Sequence, residues 1–204
     1  MLEAMLRRAI AIPVIALDDA RDAVPLARCL AAAGLSLMEI TLRTPAALPA
    51  VRAIRDAGVA IGVAIGTVRT PQDMRAAEAA GAVAMISPGT TPALIDAART
   101  ATIPWLPGVA TASEVMVLAD AGYRVQKLFP SRIELVDALA GPFPDLLLLP
   151  TGGVHAGNAR DYLQRVNVVA VSGSWIAPRS LITEHAWAEI ERRARAAVAL
   201  ATPL

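Results

Sequence analysis

Cysteine, histidine and lysine are scarce in this 204-residue chain, and aromatic side chains make up only 3% of it. The single cysteine, Cys29, has no partner for an internal disulfide, which predicts a reducing, cytoplasmic setting. The two histidines, His155 and His185, are too few for a three-histidine zinc centre. A zinc centre of the histidine-rich kind is therefore disfavoured. We expect no metal ion and no cofactor.

Nucleic acids and membranes are unexpected as partners. The 19 Lys and Arg residues nearly balance 18 Asp and Glu, so the net charge of +1 gives no basic surface for nucleic acid. Hydrophobic residues make up 55% of the chain, yet no run approaches the roughly 18 uninterrupted apolar positions that span a bilayer. Pro13 interrupts the first apolar run, so we expect a short N-terminal helix and then a strand, without a targeting segment.

The chain alternates between two kinds of segment. Short apolar runs, typical of buried strands, are centred 21 to 25 residues apart near Ile15, Ile40, Val63, Met85, Leu106, Lys127, Leu148 and Val169. Between them, helical periodicity is clear in segments 19–33, 45–57, 71–80 and 111–121. Glycines that favour helix C-termini follow these segments, and Thr-Pro pairs that favour helix starts precede several helical segments.

Eight strand-then-helix units predict an α/β fold with an all-parallel sheet. The expected architecture is a compact (β/α)8 TIM barrel with a short N-terminal helix, formed as one domain over residues 1–204. An open doubly wound sheet is the alternative, but no glycine-rich fingerprint follows the first predicted strand. In a TIM barrel, the functional side chains lie at the C-terminal ends of the strands.

The chain's only lysine, Lys127, lies in the sixth predicted strand. A lysine attacks a carbonyl carbon only as the neutral amine, which burial and a nearby cation such as Arg43 both favour. The period of two along the second strand puts Glu39 on the same side as Arg43. We interpret Lys127 as a nucleophile, and a simple ion pair between Lys127 and Glu39 is the alternative.

Glycines also follow the last two predicted strands. Gly152 and Gly153 come directly after the seventh strand, and Gly173 and Ser174 end the eighth. TIM barrels commonly bind phosphate in these two loops, where glycine lets backbone N–H groups approach an anion. The sequence therefore favours a phosphate site there.

Six segments around the lone lysine resemble those of the class I 2-keto-3-deoxy-6-phosphogluconate (KDPG) and 4-hydroxy-2-oxoglutarate (KHG) aldolases. In chain order they are 39–44 (EITLRT), 66–68 (GTV), 86–89 (ISPG), 127–130 (KLFP), 150–153 (PTGG) and 173–175 (GSW). The likeness extends over residues 12–178, which is nearly the whole chain. All six segments occur in the same order as in that family.

The resemblance implies a metal-independent lyase, assembled as a homotrimer, that acts on a small keto-acid substrate. Lys127 is then the nucleophile that forms a Schiff base with the keto carbon, and Glu39 is the proton shuttle. The substrate-binding residues that it implies are Arg43, Thr67, Pro88, Phe129 and Thr151, and the phosphate-binding residues are Gly152, Gly153 and Ser174. Among these, Arg43 and Thr67 are implied to hold the pyruvate carboxylate.

Three alternatives stay open: an aldolase for the galactonate-derived epimer of KDPG, a barrel that binds a phosphorylated metabolite without turnover, and a metal-dependent pyruvate aldolase. The chain also departs from the family pattern at two places. Ala64 and Ile65 stand where Gly-Ala is usual, and we expect this bulk to narrow the pocket or shift substrate preference. Ser131 and Arg132 follow the lysine strand and add a positive charge.

Overall fold

The computed structural model describes residues 1–201, in which strands and helices alternate along the chain. The strands are β1 (Ala11–Ile15), β2 (Leu37–Thr41), β3 (Gly62–Gly66), β4 (Ala84–Ile86), β5 (Trp105–Leu106), β6 (Gly108–Val109), β7 (Val125–Leu128), β8 (Leu147–Pro150) and β9 (Val171–Gly173). The α-helices are α1 (Leu2–Ala9), α2 (Ala23–Ala32), α3 (Ala47–Asp56), α4 (Pro71–Ala80), α5 (Pro92–Ala98), α6 (Ala112–Asp120), α7 (Ile133–Ala140), α8 (Ala159–Leu163), α9 (Arg179–Thr183) and α10 (Trp187–Val198). Short 3₁₀ helices lie at Ala20–Asp22 and Ala199–Ala201.

The strands form two parallel sheets, which confirms the predicted α/β class. One sheet has the order β5-β4-β3-β2-β1-β9, and the other has the order β6-β7-β8. The sheets adjoin at both edges: Pro107 alone separates β5 from β6, and a single bridge pairs Thr151, directly after β8, with Ser172 of β9. Because every pairing is parallel, the C-terminal ends of the strands lie at the same end of the fold.

Hydrophobic burial is divided between an outer and an inner cluster. The outer cluster packs the helices against one face of the strands, and it contains Met38, Ile40 and Ile65. The inner cluster joins the opposite face of both sheets, and Leu6 of α1 packs into it. Its buried strand positions include Ile12, Leu37, Ala64, Ala84, Leu106, Val125 and Leu149, and Ala170, directly before β9, also belongs to it. Alternation along each strand therefore separates the two clusters.

Helix ends follow the local signals at most positions. The Thr70 side chain accepts a hydrogen bond from the Asp73 backbone N–H, and the Asp73 carboxylate accepts one from the Thr70 backbone N–H, so α4 begins with a capping box. Gly81 ends the same helix with a φ of 88°. The helix predicted over 45–57 begins later, at Ala47, and the hydroxyl of Thr44, in the Thr-Pro pair before it, donates to the Leu17 carbonyl instead of capping the helix.

The position of the eighth predicted strand also needs a correction. The apolar run centred at Val169 pairs mostly beyond that residue, in β9, since the backbone of Val171 bonds to the segment that opens β1. Val169 itself donates its N–H to the Leu148 carbonyl of β8. Among the helices within residues 1–201, none combines the length and apolarity that crossing a bilayer requires.

Candidate active site

Lys127 and Glu39 meet inside the fold. Lys127 lies on β7 and Glu39 on β2, and these strands belong to different sheets. The Lys127 Nζ lies 3.3 Å from the Glu39 Oε1, with side-chain exposures of 6% and 1%. The amine also lies 5.6 Å from the centre of the Phe129 ring. Both the predicted nucleophile and its predicted ion-pair partner are therefore buried together.

Glu39 has a further property that bears on proton transfer. Its second carboxylate oxygen, Oε2, is buried and has no hydrogen-bond partner within the described residues 1–201. A buried carboxylate oxygen without a partner is costly, and a catalytic role is one reason for a protein to retain such an atom. The Oε2 atom is therefore available to exchange a proton with a bound molecule.

Space for the Glu39 side chain depends on Gly66 at the end of β3. A Cβ atom at Gly66 would lie 2.0 Å from the Glu39 Oε1 and 2.7 Å from its Cδ. No side chain fits there unless the carboxylate moves. The position of Glu39 therefore requires glycine at position 66, the last residue of β3. Sequence patterns did not indicate this requirement.

Thr67 follows Gly66 and adopts a φ of 62°, in the left-handed region. A β-branched residue seldom adopts this conformation, which costs of order 1–3 kcal/mol and is typical of functional sites. The Val68 backbone N–H, directly after it, donates to the Ile86 carbonyl at 3.1 Å and fixes the segment against β4. Thr67 is half-buried at the C-terminal end of β3.

Pro88 is placed by its neighbours on β4 and β6. The Ser87 hydroxyl accepts hydrogen bonds from the Trp105 ring N–H at 3.0 Å and from the Gly108 N–H at 3.3 Å. A Cβ atom at Gly108 would lie 2.4 Å from the Pro88 carbonyl carbon, so glycine permits the close approach of the two chains. Pro88 is half-buried at the end of β4.

The loop after β8 packs against the segment that follows the lysine strand. Gly152 and Gly153 adopt φ values of 75° and 89°. A Cβ atom at Gly152 would lie 2.9 Å from the Phe129 ring, so this glycine lets the loop lie against the aromatic face. The Ser131 N–H donates to the carbonyls of Thr151 and Gly152, each at 2.9 Å.

Thr151 has a hydroxyl partner that the sequence did not reveal. Its Oγ1 lies 2.6 Å from the Ser172 Oγ, and both side chains are buried. The Thr151 hydroxyl also lies 3.3 Å from the Leu149 carbonyl, to which it donates. Ser172 was not predicted as a site residue because the contact needs the pairing of the segment after β8 with β9.

Arg43 and Ser174 lie apart from the buried ion pair, on a cavity at the C-terminal ends of β1, β2 and β9. This cavity has a volume of about 290 Å³ and is also lined by Thr44 and Arg179. Arg43 and Ser174 are both exposed. In the part of the chain that the structure describes, no ion pair involves Arg43, so its guanidinium is free to bind an anion.

The two departures from the family pattern have different outcomes. Ile65 belongs to the outer cluster and Ala64 to the inner one, so within this pair only the small Ala64 adds bulk to the interior, and a shift in substrate preference stays a prediction. Arg132 is exposed and precedes α7, while the buried Ser131 Oγ has no hydrogen-bond partner among residues 1–201. Within the same residues, no group of three His, Cys, Asp or Glu side chains is placed to hold a metal ion.

Comparison with known proteins gives one consistent result. The family described as "KDPG and KHG aldolase" matches residues 2–193. The 2-dehydro-3-deoxy-phosphogluconate aldolase of Pseudomonas aeruginosa is 41% identical over 97% of this chain and 91% of its own length. The KHG/KDPG aldolase of Escherichia coli K12 is 38% identical over 96% of this chain and 94% of its own length.

A solved structure agrees with these relatives. The KDPG aldolase of Legionella pneumophila, described with pyruvate captured as a covalent carbinolamine intermediate, superimposes with a TM-score of 0.94. It is 38% identical, and the match covers 96% of this chain and 97% of that one.

Proposed function

The chain belongs to the KDPG and KHG aldolase family, and from this premise we propose that it is a Schiff-base lyase that cleaves KDPG to pyruvate and glyceraldehyde 3-phosphate. 4-Hydroxy-2-oxoglutarate, which would yield pyruvate and glyoxylate, is the smaller substrate of the same chemistry. The observation that carries the proposal is the buried Lys127 amine 3.3 Å from Glu39. This pair supplies a nucleophile and a base at one point in the interior.

Lys127 begins the reaction by adding to the keto carbon, C2, of the substrate. Glu39 carries two protons in turn from the Lys127 nitrogen to the former keto oxygen, first to form the carbinolamine and then to release that oxygen as water. A protonated imine remains, and Glu39 is again a carboxylate. The imine is an electron sink, so the C3–C4 bond can break with its electron pair moving toward nitrogen. The resulting enamine avoids a bare carbanion.

Glu39 moves the protons. Its carboxylate takes the proton of the C4 hydroxyl as the aldehyde leaves, and a proton is then returned to C3 of the enamine to give the imine of pyruvate. Water hydrolyses that imine, releasing pyruvate and the free Lys127. The Oε1 atom contacts the Lys127 amine, and the unpartnered Oε2 atom is proposed to face the substrate, so the carboxylate can exchange protons with both.

The remaining predicted residues are proposed to hold the substrate. Arg43 is exposed at the cavity and is proposed to bind the substrate carboxylate. Thr67, in the loop after β3 with a strained backbone, is proposed to bind the same carboxylate. The hydroxyl of Thr151 is proposed to contact a substrate oxygen. The residues proposed to shape the pocket are Pro88 and Phe129, and those proposed to bind phosphate are Gly152, Gly153 and Ser174.

We also propose that the two sheets close into a (β/α)8 barrel, with β5 and β6 acting as one strand. Support comes from the bridge between Thr151 and Ser172 and from the Lys127–Glu39 contact between strands that are not neighbours. The homotrimer, the single domain over residues 1–204 and the cytoplasmic location remain predictions from the sequence. Gel filtration with light scattering tests the trimer.

The proposed function is tested by pyruvate release from a panel of keto acids: KDPG, its galactonate epimer and 4-hydroxy-2-oxoglutarate. We expect KDPG to give the highest kcat/KM, and Lys127→Ala to release no pyruvate from any of them. Insensitivity to a chelator is expected for imine chemistry. Binding of KDPG without pyruvate release by the wild-type protein would instead support a non-catalytic barrel.

A further inference from the structure

The cavity at the C-terminal ends of β1, β2 and β9 contains a cation that the proposed reaction has not used. Arg179, the first residue of α9, lines this cavity of about 290 Å³ together with Arg43, Thr44 and Ser174. Its side chain is 63% exposed. The cavity therefore extends from the residue proposed to bind the carboxylate to a second arginine.

Arg179 is held in place from one side. Its Nε donates to the Asp18 Oδ2 at 2.7 Å, and its Nη2 donates to the Asp18 Oδ1. Asp18 lies in the segment after β1, so the pair links two strand ends across 161 residues of sequence. A guanidinium carries more N–H donors than the two that Asp18 occupies, and the rest remain for another anion.

The charges around the cavity favour an anion. Arg43, Arg179 and Ser174 all line it, and none of its lining residues in the described chain is acidic. The nearby carboxylate of Asp18 offsets one positive charge, and Arg179 keeps the pKa of Asp18 below its ordinary value. Arginine is suited to phosphate because its planar donors match two oxygens at once.

We propose that Arg179 is a specificity-determining residue that binds the phosphate of the substrate and sets a preference for phosphorylated keto acids. This inference rests on the proposed function, since it assigns Arg43 to the carboxylate end of the substrate and Arg179 to the phosphate end. Asp18 pairs with the same guanidinium when no phosphate is bound. A bound phosphate dianion competes with Asp18 for the same cation.

The test compares kcat/KM for KDPG with kcat/KM for 4-hydroxy-2-oxoglutarate in three variants. Arg179→Ala is expected to lower the ratio of the two values by about 10- to 100-fold, through KM for KDPG, because a charged hydrogen-bond partner is lost. Asp18→Asn is expected to keep or raise the ratio, because the cation stays and its competitor is removed. If the Asp18–Arg179 pair were only structural, both variants would lose kcat/KM to the same extent for both substrates.

Arg21→Ala is the matched control. Arg21 forms the same kind of contact with Asp19, through Nε at 2.8 Å and Nη2 at 2.6 Å, but it does not line the cavity. For Arg21→Ala, the ratio of kcat/KM for KDPG to kcat/KM for 4-hydroxy-2-oxoglutarate is expected to equal that of the wild type. A wild-type ratio in Arg179→Ala, or an equal fall in Arg21→Ala, overturns the inference.

A second readout separates this inference from the proposed function. Inorganic phosphate is expected to inhibit cleavage of KDPG competitively. The inhibition constant is expected to be larger for Arg179→Ala than for the wild type, because phosphate binds more weakly. Borohydride trapping of pyruvate on Lys127 involves no phosphate and is expected to be equal in Arg179→Ala and the wild type. Loss of trapping in the wild type contradicts the proposed function, whereas unchanged phosphate inhibition in Arg179→Ala contradicts the role of Arg179 alone.

Discussion

Inside the fold, the inward-facing side chains are apolar at one end and polar at the other. On β2 and β7 the change occurs over two residues. On β2, Leu37 packs in the inner cluster and Glu39 pairs with the amine. On β7, Val125 packs in the same cluster and Lys127 carries that amine. Three other segments change in the same way over two residues: from Ala64 to Gly66, from Leu149 to Thr151 and from Ala170 to Ser172.

This comparison shows how the fold separates stability from chemistry. At the end that α1 covers, inward side chains are aliphatic and fully packed. Two residues further along β2, β3 and β7, and at the ends of β8 and β9, the inward positions are charged, glycine or hydroxyl-bearing, and one carboxylate oxygen has no partner in the described chain. We expect substitutions at the apolar end to change stability and those at the polar end to change catalysis.

The largest effect is expected for Lys127→Arg, at the polar end of β7. Arginine keeps the positive charge beside Glu39 but does not lose a proton, so it cannot form an imine. We expect kcat for KDPG cleavage to fall by about 10⁴-fold or more. Pyruvate release measures this, and circular dichroism checks that the variant is folded. Substantial activity in this variant would reduce Lys127 to an ion-pair partner.

Leu37→Ala tests the opposite end of β2. Leu37 is 1% exposed in the inner cluster, so the truncation leaves a cavity. We expect the free energy of unfolding to fall by about 2–5 kcal/mol, measured by urea denaturation. The kcat of the folded variant should stay within a few-fold of the wild type. A large loss of kcat without a loss of stability would erase the distinction between the two ends.

Gly66→Ala sharpens the comparison on β3. The added methyl group would lie 2.0 Å from the Glu39 Oε1, so the carboxylate has to move. We expect kcat to fall by about 10²-fold, because a displacement of about 1 Å is enough for such a loss. Gly141→Ala is the control, since a Cβ atom there lies more than 4 Å from every group within residues 1–201 other than its chain neighbours. Equal activity in the two variants would show that the Glu39 position is unimportant.

Ser172→Ala is expected to have the smallest effect. Removing its hydroxyl leaves Thr151 with the Leu149 carbonyl as its hydrogen-bond partner, so the Thr151 hydroxyl is less firmly oriented. We expect kcat/KM to fall by about 2- to 10-fold, the value of one neutral hydrogen bond. The exposed Ser180 provides the control as Ser180→Ala. An unchanged kcat/KM in Ser172→Ala would show that Thr151 needs no such partner.

Much of the fold follows from local sequence. The capping box of Thr70 and Asp73, the C-terminal glycine at 81 and the alternation on β2 are properties of neighbouring residues, and the structure has each of them. Lys127 stood out because it is the only lysine. The start of α3 was placed too early because Thr44 bonds to Leu17, a contact that no local pattern contains.

The parts of the site that sequence did not predict depend on contacts between distant strands. The need for glycine at 66 arises from the Glu39 side chain on the adjacent strand, and Ser172 meets Thr151 only through the pairing beside β9. Arg179 lies 161 residues from Asp18. Register and strand order decide such contacts, and neither is encoded in the spacing of apolar runs.

The most direct test of the central claim is reduction of the wild-type protein with borohydride in the presence of pyruvate, followed by peptide mass mapping. The account predicts a single reduced pyruvate adduct, located on Lys127, and none on the Lys127→Ala protein. An unmodified Lys127 in an active preparation, or an adduct confined to the N-terminal amine, would contradict it.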